Sequence, residues 1–280
     1  MSFQSIFMRN VVRFCGLLLT SMTAGAAASA DSYTLASPDE TIQVSINVSD
    51  AIQYSVTVDG KEMLRPSRLA MTLKDGTQLG AQPVFLGRRS RSVDQVLSPV
   101  VPVKSSKIHD RFNETVFSFE GDYRVVFRAY NNGVAYRFET AFAQPIQVIE
   151  ELVEYDFPAE AHVYFPKEDS FQSHNERTYL YTQMRDLKEG ELASLPALVS
   201  TAGIKVLISE TDLRDYAGLW IESAGGGALD WCSAQICALD RNERRVGPQR
   251  NCDRASRLYR GHQWRAYFPV AVPGYCSHRR

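Results

Sequence analysis

From residue 42 to residue 48, apolar and polar residues alternate without a break. Ile42, Val44, Ile46 and Val48 are separated by Gln43, Ser45 and Asn47. A side-chain period of two suits a strand with one buried face, because successive side chains point to opposite sides of a sheet. After Ser49-Asp50 the pattern resumes at Tyr54, Val56 and Val58. Asp59-Gly60 and Asp75-Gly76 are turn dipeptides whose glycines tolerate positive φ. Residues 115–120 and 123–130 flank Gly121-Asp122 and predict a tight hairpin, and Asn131-Asn132-Gly133 then turns the chain into residues 134–139. Further extended segments are expected at 146–157 and 205–209. No segment before residue 185 carries a 3.6-residue period over three turns, so helix is expected only in short turns, such as one near 212–216. Many short strands with turn signals between them predict an all-β sandwich.

The two ends of the chain depart from this pattern. At the start, Arg9 and Arg13 precede an apolar stretch over 14–19, and Ala28-Ser29-Ala30 offers small residues just before Asp31. These are the parts of a secretory signal peptide over 1–30, and the mature chain is expected to be periplasmic or secreted. Cys15 precedes most of the apolar run, so it does not stand where a lipid-anchor cysteine would. No later segment approaches the roughly 20 apolar residues needed to cross a bilayer, so no membrane span is expected. The formal net charge of −1 points to no nucleic-acid partner.

At the far end the composition changes. Residues 31–228 carry 19 Lys plus Arg against 28 Asp plus Glu, whereas 229–280 carry ten Arg, no Lys and four acids. Cys232, Cys237, Cys252 and Cys276 all fall in the second piece, and Gly225-Gly226-Gly227 marks the break. An irregular, disordered tail is expected over 229–280. Three readings of it compete: an arginine-rich nucleic-acid patch, which export disfavours; a disulfide-bonded extension in an oxidising compartment; and a stretch translated in the wrong frame.

Four strings, in order, resemble the N-terminal domain of glycoside hydrolase family 97. They are Leu69-Ala-Met-Thr-Leu-Lys-Asp-Gly76, Tyr130-Asn-Asn-Gly-Val-Ala-Tyr-Arg-Phe138, Asp169-Ser-Phe-Gln-Ser-His-Asn-Glu-Arg177 and Ile208-Ser-Glu-Thr-Asp-Leu-Arg-Asp-Tyr-Ala-Gly218. The resemblance covers roughly 31–228. It implies a β-supersandwich related to the galactose-mutarotase fold, followed in full-length members by a (β/α)8 barrel. The family cleaves α-glucosidic or α-galactosidic bonds with two carboxylates that flank the scissile bond, and those carboxylates come from the barrel. Such a barrel takes about 250 residues, and 52 follow Ala228. The expectation is therefore a carbohydrate-binding domain without the catalytic half and inactive alone; the alternative is a free-standing periplasmic sugar-binding module.

The resemblance also implies a metal. In calcium-dependent members a glutamate of this domain reaches the active site, and the matching residue here is Glu176; the residues alone read it as a solvated loop glutamate paired with Arg177. A calcium ion takes six to eight oxygens, more than one carboxylate and a neighbouring amide supply, so this chain alone is expected to hold calcium weakly or not at all. For the tail, shifting the frame by one base permits a peptide Phe/Ser-Pro-Trp-Arg-x-Leu-Val-Ile-Ala behind residues 268–277, similar to the Pro-Trp-Arg strand that family members carry there. Other candidates read as structural. His109 lies beside Asp110 and His162 in a strand-like run. Ser170 and Ser173 lack a glycine elbow, and Cys232 and Cys237 lack partners at zinc spacing. Tyr179, Tyr181 and Trp220 could stack on sugars, although aromatics in a sandwich are more often core.

Overall fold

The structure is a computed structural model that describes residues 31–144, 146–171, 173–211, 219–226, 228–233, 257–259 and 265–271. The signal peptide expected over 1–30, the turn expected at 212–216 and Cys237, Cys252 and Cys276 lie outside the described residues.

In chain order the strands are β1 (Asp31–Ala36), β2 (Ile42–Val48), β3 (Ile52–Val58), β4 (Lys61–Leu73), β5 (Gln78–Leu79), β6 (Phe85–Leu97) and β7 (Ile108–Phe119). They continue with β8 (Tyr123–Tyr130), β9 (Gly133–Thr140), β10 (Ile146–Asp156), β11 (His162–Phe165), β12 (Lys167–Glu168) and β13 (Leu180–Gln183). Last come β14 (Leu192–Ala193), β15 (Ala197–Thr201), β16 (Ile204–Thr211), β17 (Leu219–Gly225), β18 (Ala228–Ser233), β19 (Arg257–Tyr259) and β20 (Arg265–Ala271). One 3-10 turn, Met184–Asp186, is the helical element among the described residues. The fold is all-β, as the alternation predicts.

The first sheet has the order β1-β2-β3-β4-β10-β18-β17-β14-β12, with β5 beside β4 and β19 beside β10. The second runs β13-β11-β15-β16-β20-β9-β8-β7-β6. Register explains why the period-two pattern matters. Val44 pairs with Val56 and Ile46 with Tyr54, so the apolar set of each strand meets that of its neighbour on one face. These residues are buried. The opposite sheet supplies Phe117, Phe127, Tyr136 and Phe138 to the same core. The Tyr54 ring lies 5.9 Å from both Phe127 and Tyr136, which closes the sandwich at its centre.

The turns carry their expected chemistry. Asp59 and Gly60 make a two-residue hairpin loop with φ of 50° and 73°, the doubly left-handed geometry that matches strand twist. Gly121 and Asp122, at 86° and 55°, reverse the chain between β7 and β8. Gly80 (φ 86°) is demanded by packing as well: a Cβ there would meet the Leu69 carbonyl oxygen at 2.5 Å.

Three strands lie beyond residue 228, so sheet-forming segments run past the expected boundary and into the stretch expected to be disordered. β18 sits between β10 and β17, β19 pairs with β10, and β20 bridges β9 and β16. Backbone hydrogen bonds depend little on side-chain identity, and a strand between β9 and β16 covers two otherwise open edges. An alternation test on side chains is blind to that gain.

Candidate functional site

The third family-like string begins where β12 pairs with β14, Glu168 opposite Leu192. That pairing draws the Glu168 side chain inside, where it is fully buried. Three groups meet it there. The Ser173 hydroxyl donates to Oε2 at 2.7 Å, the Arg177 Nε–H to the same oxygen at 2.5 Å, and the Ser194 hydroxyl to Oε1 at 3.2 Å. Burial pushes this carboxyl up, but the Ser173 and Arg177 bonds and the Arg177 charge outweigh it and hold it below the usual glutamate range. The carboxylate therefore stays ionised and pins both ends of the 173–177 segment.

Between those pins the backbone folds on itself. The Ser173 Oγ accepts the Asn175 N–H at 3.0 Å, and Asn175 takes φ 58°, a left-handed conformation that asparagine tolerates. The Glu176 N–H donates to His174 Nδ1 at 3.0 Å, which leaves the proton of a neutral His174 on Nε2. The Glu176 side chain itself is exposed, and Arg177, expected to pair with it, pairs instead with Glu168 and Asp169. Among the described residues, no three His, Cys, Asp or Glu side chains converge as metal ligands. The residues described here do not by themselves fit a calcium ion, which needs a fuller oxygen shell.

Carboxylates also meet elsewhere. Burial, with the nearby Glu210 charge, pushes Glu151 up to about 8. Burial raises Glu210 to about 7, although it accepts the Leu219 N–H. Glu151 is buried, and Glu210 is half-buried.

The other sequence candidates separate clearly. Tyr179 and Tyr181 are 42% and 55% exposed, whereas Trp220 is buried with its ring edge-on to Phe171 at 5.4 Å. Tyr179 donates its hydroxyl to the Pro196 carbonyl at 3.0 Å. His162 is not isolated, since its ring stacks on Tyr181 at 5.3 Å, and Tyr164 approaches Tyr181 to 4.6 Å. His109 Nε2 lies 2.6 Å from Asp94 on an exposed surface. Ser173 is a structural donor to Glu168. Of Cys232 only the backbone is described. Sequence reasoning missed Glu168, because a glutamate in Lys167-Glu168-Asp169 looks like ordinary surface; only the pairing of β12 with β14 turns it inward. Nor did sequence reasoning bring His162 and Tyr164 to Tyr181, since sixteen residues or more separate them along the chain.

The family described as glycosyl-hydrolase 97 N-terminal matches residues 35–266, past the boundary expected at 228. A retaining alpha-galactosidase of Bacteroides thetaiotaomicron is 34% identical over 204 residues, covering 69% of this chain and 31% of that protein. Among solved structures, a glycoside hydrolase family 97 enzyme from Pseudoalteromonas sp. strain K8, in complex with acarbose, superposes with a TM-score of 0.71 at 19% identity, covering 85% of this chain and 35% of that one. A beta-arabinopyranosidase gives 0.70 at 24% identity, covering 85% and 40%. At such identities these structures speak for the fold. The chain thus spans about a third of the length of the relatives it matches. Among the described residues no helix is long and apolar enough to cross a membrane. The chain belongs to the glycosyl-hydrolase 97 N-terminal family.

Proposed function

We propose that this chain is the carbohydrate-recognising N-terminal part of a family 97 glycoside hydrolase of the α-glucosidase or α-galactosidase type, exported to the periplasm or beyond. The family match over 35–266 carries the reading. The Glu168 anchor supports it, because a buried, ionised carboxylate holds a loop whose exposed residues, His174, Asn175 and Glu176, include the glutamate that the resemblance implies. Glu176 then supplies one carboxylate to a site completed by residues outside this segment, where it would help to hold calcium. Alone, the chain holds calcium weakly or not at all.

Hydrolysis of a glycosidic bond needs two carboxylates on either side of it. Glu176 is exposed, whereas Glu151 is buried and Glu210 half-buried. On this reading the segment recognises sugar, and the two cleaving carboxylates come from outside it. The test is a glycan array followed by turnover assays on aryl α-glucosides and α-galactosides, with and without calcium. Binding to an α-linked glucoside or galactoside without turnover is expected. Turnover above background that survives repurification overturns the second half of the proposal, and an empty array overturns the first.

A further inference from the structure

We infer that the outer face of the β11–β13 edge is a stacking platform for a pyranose ring. This rests on the carbohydrate-recognising reading above and names the surface that does the recognising.

Val163 and Phe165 of β11 are fully buried in the core, so His162 and Tyr164 take the opposite face of the sheet. Tyr164 pairs directly with Tyr181 across the strands, and His162 pairs with Gln183 on one side and Ser200 on the other. Directly paired residues share a face. One surface therefore carries His162, Tyr164, Tyr181, Gln183, Leu198 and Ser200. Its rings are in contact: His162 stacks on Tyr181 with planes 20° apart, and Tyr164 leans on it at 39°. Tyr181 is thus backed by two rings yet 55% exposed. Among the described residues β13 is the last strand of its sheet, so this surface lies at an open edge.

An exposed ring cluster has its rotamers already fixed, so a ligand landing on it orders little. The face of an aromatic ring is electron-rich, and one face of a pyranose presents weakly positive C–H groups. Its hydroxyls, in the plane around that face, need polar neighbours, which Gln183 and Ser200 provide without charge. A neutral polyol suits this surface better than an anion, although Lys205 stands opposite Ser200 on β16. Flat aromatic area with a few convergent polar groups is the composition of sugar-sized sites in general.

Titration calorimetry of the full chain with maltotriose and with raffinose, against Tyr181→Ala and Tyr181→Trp, tests the platform. Tyr181→Ala should weaken binding about tenfold or more at an unchanged melting temperature, and Tyr181→Trp should retain it. Sugar binding that Tyr181→Ala leaves intact overturns the platform while the carbohydrate-recognising reading stands. No heat from either sugar at millimolar concentration, with both variants folded, overturns both. Loss of binding with a collapsed melting temperature is resolved by Tyr181→Trp: binding retained supports stacking, and binding lost in a folded protein refutes it.

Discussion

Replacing Glu168 by glutamine tests whether a buried charge builds the candidate site. The substitution keeps the shape of the side chain and removes its negative charge. In the folded protein that side chain has no solvent exposure, and it accepts from Ser173, Arg177 and Ser194. Breaking one partner of a buried ion pair typically costs about 3–5 kcal/mol. The Arg177 side chain is 33% exposed, so water compensates part of the loss, and about 2–3 kcal/mol is the figure to expect after that discount. For a domain of this size that corresponds to a fall in melting temperature of roughly 4–12 °C. Urea unfolding followed by circular dichroism reads the loss, and a double-mutant cycle with Arg177→Met isolates the coupling. Glu176→Gln is the internal control: an exposed side chain should change stability by no more than about 0.5 kcal/mol. A Glu168→Gln cost below about 0.5 kcal/mol, with no coupling to Arg177, would refute the anchoring role.

Two acids give stability an alkaline slope. Glu151 and Glu210 are raised to about 8 and about 7, so the folded chain keeps protons that an unfolded glutamate loses near about 4.3. Their contribution is full below that value and is lost as pH climbs through 7 to 8. Melting temperatures should fall from pH 5 to pH 9 and fall less in Glu151→Gln; a flat wild-type profile contradicts this. Gly80→Ala should cost about 1–3 kcal/mol or more in urea, since φ is 86° and the new Cβ would meet the Leu69 carbonyl; a neutral result means that the close approach relaxes freely. Trp220→Ala should cost about 3–5 kcal/mol, while Tyr181→Ala stays near zero, because the first ring is buried and the second exposed. Equal melting temperatures for those two variants would contradict the assignment of one to the core and the other to the surface.

The alternation at 42–58 was enough to assign strands and their buried faces, because a period of two leaves one choice of face and a register slip would expose every apolar residue in it. Asp59-Gly60 and Gly121-Asp122 likewise announced their turns, since left-handed backbone is a local property of those residue types. The resemblance through Ser173 to Arg177 points to Glu176 as a proposed site residue. What supports it was not legible. Glu168 is hidden by the pairing of β12 with β14, and Tyr181 gains His162 and Tyr164 through the pairing of β13 with β11. β19 and β20 escaped for a related reason, since their hydrogen bonds join distant backbones and leave no periodic trace, whereas β18 pairs with its sequence neighbour β17 just past a glycine run that reads equally well as a boundary. Local sequence determined which residues can be strand, turn or core, because those preferences act within a few residues. Only the tertiary structure decided which strand edges meet, and with them which carboxylate is buried and which rings form a surface.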